Sequence, residues 1–336
     1  MTGAISGADA PLLTVSNLRT HFHTGRGIVR AVDGVSFNLA RGRTLGIVGE
    51  SGSGKTVLVR SLLGLLPSTA KFGGETEIGF EGRPLDIRSE TALNQVRGRA
   101  IAMVFQDPMT SLNPVMTVGA QITESLRYHL GLTGGEARER AVALIDSVGI
   151  PMARQRIDQH PHQLSGGLRQ RVAIAIALAC EPKLLIADEP TTALDVTIQA
   201  EILDLLARQQ AERDMAMILI THDLGVVAGR ADDIAVMYAG RIVERAPTAR
   251  LFANMRMPYT QALMNAIPRL EAPPNTPLRT IGGRPPDLVN PPPGCRFAPR
   301  CPRAESRCTD HEPPLEGGES GHRFACWYPV GEPGAA

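Results

Sequence analysis

From Leu12 to about Gly240, short apolar runs alternate with stretches whose apolar residues recur at helical spacing. That is the pattern of a mixed or parallel sheet flanked by helices. Four runs predict buried strands: Thr44–Val48, Ala100–Phe105, Lys183–Ala187 and Met215–Ile220. Helices are predicted from Thr56 to Leu66 and through the apolar run Val172–Cys180. The segment from about Pro108 to Gln163 is helical in pattern and reads as a subdomain inserted into the strand-bearing core. Beyond Ala246 the texture changes, because 17 of the 26 prolines lie there and proline lacks the N–H that helices and sheets need. The expected division is residues 12–245 as the main domain, with the helical subdomain at about 108–163, and residues 246–336 as a loop-rich C-terminal extension.

Composition removes several classes of function. A formal net charge of +1 leaves no basic excess to hold a nucleic-acid backbone. The run Val172–Cys180 has nine residues, whereas a spanning helix needs about 20, and the N-terminus lacks the layout of a signal peptide, so the chain is expected in the cytoplasm. Four of the five cysteines (Cys295, Cys301, Cys308 and Cys326) lie in the proline-rich extension. In a reducing compartment this suggests metal before disulfides. Cys180 ends an apolar helix and reads as a small packed hydrophobe.

Each of the four strands runs into chemistry. The first feeds Gly49, Glu50, Ser51, Gly52, Ser53, Gly54, Lys55 and Thr56, a complete phosphate-binding loop. Its glycines let successive N–H groups curl toward a phosphate, Lys55 adds a cation, and the Thr56 hydroxyl suits magnesium. The third run in sequence ends at Asp188-Glu189, where Asp188 suits the magnesium shell and Glu189 can activate the attacking water. The remaining two end at Gln106 and at Thr221-His222-Asp223. A glutamine amide can ligate magnesium or orient water, and a histidine can donate to a terminal phosphate. Ser165, Gly166 and Gly167 open the helix after Leu164, a small anion seat at a helix start. Read as ordinary structure these would be a strand-end turn and a helix cap, but their order with the phosphate loop favours one nucleotide site.

The succession Gly49 to Thr56, Gln106, Leu164 to Gly167, Leu184 to Glu189, Ala193-Leu194-Asp195 and His222 resembles the ATP-binding cassette (ABC) transporter ATPases, over about Leu12 to Gly240. The resemblance implies an α/β P-loop NTPase cassette: a mostly parallel core, an antiparallel β portion and an inserted helical subdomain, here with a Pro-rich C-terminal extension. It also implies that Ser165, Gly166 and Gly167 of one subunit close over the nucleotide of its partner, that Phe22 stacks on adenine, that Asp195 couples the two sites and that His222 is a switch. Phe22 reads equally as a half-buried strand aromatic between His21 and His23. The stretch Asp107 to Pro114 resembles the part of importer ATPases that cradles a coupling helix of the membrane subunit.

The extension, with Gly294-Cys295-Arg296-Phe297-Ala298-Pro299-Arg300-Cys301-Pro302, is similar to that of oligopeptide and dipeptide importer ATPases. That resemblance implies a four-iron four-sulfur cluster on Cys295, Cys301, Cys308 and Cys326. Zinc is the alternative, with His311 and His322 as further ligands. The implied assembly has ATP and Mg2+ as cofactors, a second and related ATPase subunit and two transmembrane permease subunits. An extracytoplasmic substrate-binding protein acts through the permeases, no nucleic acid is involved, and the chain is peripheral at the cytoplasmic face of the cell membrane. Peptides are the expected solute, with nickel or another small solute as the alternative. An ABC ATPase acting on nucleic acid or ribosomes would need a basic face, a coiled-coil arm or a duplicated cassette. A regulatory cassette would lack Glu189 or His222, and an exporter has no reason to carry the cysteine tail.

Overall fold

The computed structural model describes residues 11–107, 111–192, 194–267, 280–317 and 321–331. The chain forms two compact units. One comprises the described residues up to Ala40, Thr44–Arg88, and those from Thr221 onward; the other comprises Arg41–Arg43 and Ser89–Ile220.

In the first unit, β1 (Leu13–Thr24) and β2 (Gly27–Leu39) form a long antiparallel hairpin in which Leu13 pairs with Leu39 and Thr24 with Gly27. The alternation along β2 buries Val35, Phe37 and Leu39 and exposes the residues between them, the period of a sheet with one face on a core. Strands β4 (Ala70–Phe72), β5 (Glu77–Phe80) and β6 (Arg83–Pro84) complete this sheet, in the order β2-β1-β5-β6 with β4 also on β1. Strand β3 (Thr44–Val48) is buried throughout, as its unbroken apolar run predicts. It pairs in parallel with β10 (Asp233–Tyr238), which turns through Ala239-Gly240 into antiparallel β11 (Arg241–Pro247). Helix α1 follows the phosphate loop as Lys55–Leu62. It is shorter than the predicted Thr56–Leu66 because Gly64 takes a left-handed φ of 60° and ends the helix.

The second unit contains the parallel strands β7 (Ile101–Val104), β8 (Leu184–Asp188) and β9 (Ala216–Thr221). Around them lie α2 (Glu90–Val96), α3 (Val118–Leu130), α4 (Gly134–Ser147), α5 (Gly166–Leu178) and α6 (Val196–Glu212). The predicted insertion therefore contains α3 and α4. Thr117 caps α3 by accepting from Ala120 N–H, and a Thr133–Glu136 capping box opens α4.

The proline-rich extension packs within the first unit. Its strand β13 (Arg323–Phe324) pairs with β11, and β12 (Glu316–Gly317) pairs with β13. Tyr238 of β10, Tyr259 of α7 (Pro258–Asn265) and Phe297 form a buried aromatic cluster with centroid separations of 4.5 to 5.3 Å; such pairs contribute about 1 kcal/mol each beyond their burial. Polar contacts do the rest. Buried Glu244 accepts from the N–H groups of Arg256 and Met257 at 2.6 and 3.1 Å and faces His322 Nε2 at 2.8 Å. Asp33 pairs with Arg241 at 3.0 Å and with Arg296.

Burial would raise the Asp33 carboxyl, but Arg241 and Arg296 outweigh it and hold it at about 2. A carboxylate held below its ordinary value adds stability that is complete above about pH 4 and is lost as pH falls through about 2. Thermal unfolding should therefore show a steeper fall in Tm between pH 4 and 2 in the native protein than in Asp33→Asn. Equal slopes would contradict the assignment.

Candidate functional site

The phosphate loop, Gly49 to Thr56, is shaped by backbone pressed against backbone. A Cβ on Gly49 would lie 2.2 Å from the Met237 carbonyl oxygen. One on Gly54, at φ 102°, would lie 2.2 Å from that of Ala31. Gly240 N–H donates to Ser53 O at 2.8 Å, which ties the loop to the β10–β11 turn. Lys55 is buried, and its Nζ donates to the carbonyls of Gly49 at 2.7 Å and Glu50 at 3.1 Å. Two features fit the loop to a phosphate. The Ser53 hydroxyl is buried with no hydrogen-bond partner among the described residues, and Gly52, at φ 78°, has open space where a side chain would stand. Ser51 is exposed and Thr56 half-buried.

Phe22 is half-buried near the end of β1, beside Val29 of β2 and Ala70 of β4. Neighbouring His21 meets Asp33 at 3.3 Å. His222 is exposed immediately after β9.

In the second unit β8 carries buried Asp188 at its end. The next residue, Glu189, has the left-handed φ of 46°, a conformation that costs a non-glycine residue about 1 kcal/mol or more. Neighbouring groups hold it there. Its N–H donates to Ile220 O at 3.0 Å, and its Oε2 accepts from Gln106 Nε2 at 3.2 Å and Thr192 Oγ1 at 3.0 Å. The structure thus brings Gln106 and Glu189 together and adds Thr192, which sequence reasoning missed because a threonine three residues past a carboxylate has no distinctive pattern.

Ser165 caps α5 by accepting from Leu168 N–H at 3.4 Å, and Asp195 caps α6 by accepting from Ile198 N–H at 3.1 Å. These two helix starts adjoin: a Cβ on Gly166 would meet Leu194, and one on Gly167 would come within 3.0 Å of Ile198. Ala193 lies outside the described residues. Two adjacent helix N-termini with small residues form an anion-attracting surface.

The sequence comparisons add a family to this geometry. The ABC transporter family model matches residues 32–192, and the model for "Oligopeptide/dipeptide transporter, C-terminal region" matches residues 243–308. The chain is 50% identical over 321 residues to the "Oligopeptide transport ATP-binding protein OppD" of Salmonella typhimurium, covering 96% of this chain and 95% of that relative. It is 52% identical over 310 residues to a "Putative peptide import ATP-binding protein" of Brucella abortus, covering 92% of each. The chain belongs to the ABC transporter family. Among solved structures it is similar to the dimeric ATP-binding cassette MJ0796 in a post-hydrolysis state bound to ADP and Pi, with a TM-score of 0.63, 28% identity and coverage of 70% of this chain and 98% of that one. It also resembles cbiO1 of Clostridium perfringens, part of the ABC transporter complex cbiONQ, with a TM-score of 0.62, 31% identity and coverage of 73% and 92%. As a member of this family, the chain is an ATPase.

The cysteine tail differs from the expectation for such an ATPase. The four thiols lie near enough to affect one another: burial, reinforced by the other cysteines, pushes Cys326 up to about 12 and Cys295 up to about 11. Yet among the described residues no three His, Cys, Asp or Glu side chains gather closely enough to hold a metal ion. Backbone bonds fix the segment instead, with Cys295 N–H donating to Cys308 O at 2.7 Å and Cys301 N–H to Ala298 O at 3.2 Å. His322, an alternative zinc ligand, is taken up by Glu244. The His311 carbonyl accepts from Trp327 Nε1 at 2.9 Å. Cys180 is buried and donates to Ser125 O at 3.7 Å, the structural role expected of it.

The helical segment between β7 and α5 exposes large apolar side chains. Val115 is 81% and Tyr128 78% exposed, and a shallow hollow is lined by Met116, Ala120, Thr123, Arg127, Tyr128 and Leu132. Pro108, Met109 and Thr110 lie outside the described residues. No helix among the described residues is long and apolar enough to cross a membrane.

Gly54→Ala should forfeit the left-handed turn and drive a methyl into the Ala31 carbonyl, with a loss of about 2 kcal/mol or more in stability. ATP binding should fall with it. A denaturant titration beside a nucleotide titration checks both, and unchanged binding would contradict the close approach.

Proposed function

We propose that this chain is the ATP-hydrolysing subunit of a peptide importer. In this reading it sits at the cytoplasmic face of a membrane against two permease subunits and pairs with a second, related ATPase subunit. An extracytoplasmic binding protein delivers the solute to the permeases. The observation that carries the hydrolytic reading is Glu189, kept in a left-handed backbone at the end of β8 with its carboxylate held by Gln106 and Thr192. The peptide assignment is supported by the similarity to OppD and to the transporter C-terminal region.

The roles follow from side-chain chemistry. The N–H groups of Gly49 to Thr56 and the Lys55 ammonium receive the phosphates. Thr56, Gln106 and Asp188 would hold magnesium, which neutralises charge developing on the phosphate oxygens. Glu189 accepts the proton of the attacking water. His222 senses the terminal phosphate, and Phe22 stacks on adenine. Ser165, Gly166 and Gly167 close over the partner's nucleotide, and Asp195 couples the two sites. The exposed surface around Val115 and Tyr128 suits a coupling helix of a permease.

In the tail we propose that Cys295, Cys301, Cys308 and Cys326 take up a four-iron four-sulfur cluster, with zinc as the alternative. The support is the presence of four cysteines in one proline-rich segment that is poor in apolar residues, where bound metal would supply folding energy.

Glu189→Gln should cut hydrolysis by roughly a hundredfold or more and accumulate an ATP-filled dimer on size-exclusion chromatography. Lys55→Ala should instead weaken nucleotide binding. Normal turnover in either variant would sink the assignment. For the tail, anaerobic purification should give protein with broad visible absorbance and iron, or colourless protein with zinc; protein containing neither metal would overturn tail ligation and leave the ATPase reading intact.

A further inference from the structure

The extension grips the phosphate loop at two points and the turn behind it at a third. Arg300 forms a bidentate fork on Glu50, Nη1 to Oε2 at 2.6 Å and Nη2 to Oε1 at 2.9 Å. Its other donors are also occupied: Nε by Gly282 O at 2.8 Å, Nη1 by Tyr238 Oη at 3.3 Å and Nη2 by Ile281 O at 3.2 Å. The Arg300 side chain is 3% exposed and that of Glu50 27%, so the guanidinium side of the fork is preorganised and screened from water. Tyr259 Oη accepts the Glu50 N–H at 2.9 Å. Arg296 donates to Ala239 O, in the turn whose Gly240 N–H holds Ser53 O.

Every polar group of Glu50 is thereby engaged, since its carbonyl accepts from Lys55 Nζ at 3.1 Å and from Ser53 N–H at 3.2 Å. Glu50 is also the one carboxylate between Gly49 and Thr56. A negative charge in an anion-binding loop opposes a phosphate unless it is neutralised. The buried Arg300 supplies that neutralisation from 250 residues away.

We propose that Arg300 is a positioning residue of the nucleotide site: by pairing with Glu50 it fixes the phosphate loop and cancels the loop's carboxylate, so the cysteine-bearing tail is a working part of the ATP site. This rests on nucleotide binding by Gly49 to Thr56. It adds a residue outside the cassette motifs, and it makes tail docking and ATP affinity reciprocal, as coupled equilibria must be.

The test is titration of the full chain with a fluorescent ATP analogue and Mg2+, alongside the Tm of the nucleotide-free protein. Arg300→Ala should weaken binding roughly tenfold, because Glu50 is left charged and unpaired. Adding Glu50→Gln to that variant should restore most of the affinity, since the uncompensated charge is then gone. A residue that only anchors the tail would give a double variant no better than Arg300→Ala. Native-like binding by Arg300→Ala, or absence of rescue, would overturn the proposal. Should Arg300→Ala fail to fold, Arg300→Lys keeps the cation and loses the fork; it should bind measurably more weakly, and unchanged affinity would overturn the proposal. Failure of the native chain itself to bind the analogue would refute the nucleotide reading instead.

Discussion

The first unit depends on the close approach of the phosphate loop to the strands behind it. Glycine at 49 and 54 lets the loop lie on the carbonyls of Met237 and Ala31, with no space for a Cβ. The bond from Gly240 to Ser53 then fastens its far side. The curl that exposes N–H groups is held by β2 and the β10–β11 turn, elements that carry no phosphate chemistry themselves. The loop is rigid because its support is backbone, whose position cannot be adjusted by changing a rotamer.

Strain has a comparable place in the second unit. The left-handed Glu189 follows a strand with every residue buried, and the β-sheet bonds of β8 to β7 and β9 allow the strand end no relaxation. Hydrogen bonds from Gln106 and Thr192 to one carboxylate oxygen of Glu189 hold that side chain in one orientation. In the proposed role of Glu189 as base, such preorganisation would move part of the cost of hydrolysis into folding.

The proline-rich tail meets a different constraint. With few backbone donors and few apolar side chains it cannot build a core of its own. Acidic residues of the earlier chain supply anchors instead: Asp33 takes Arg296, Glu244 takes His322 and two backbone amides, and Glu50 takes Arg300. Buried ion pairs are costly to break because the abandoned charge remains in a poor solvent. Docking of this kind is specific in geometry, and the three-ring cluster of Tyr238, Tyr259 and Phe297, with buried Leu251 and Met257, adds apolar contact to it.

Features that depend on neighbours in the chain were determined by sequence alone. The strand before the phosphate loop, the loop's glycines and lysine, the carboxylates at the end of β8 and the cap at Ser165 follow from apolar runs, allowed φ values and local hydrogen bonding. Helix ends were less legible, as Gly64 shows, because one left-handed residue outweighs a continuing apolar pattern. Tertiary structure alone decided which distant partners meet. Arg300 is one arginine among several in a coil, and His322 looks as able to bind zinc as to pair with Glu244. Their roles come from convergence of segments up to 250 residues apart, and pairing between such segments depends on packing and desolvation that no local pattern encodes.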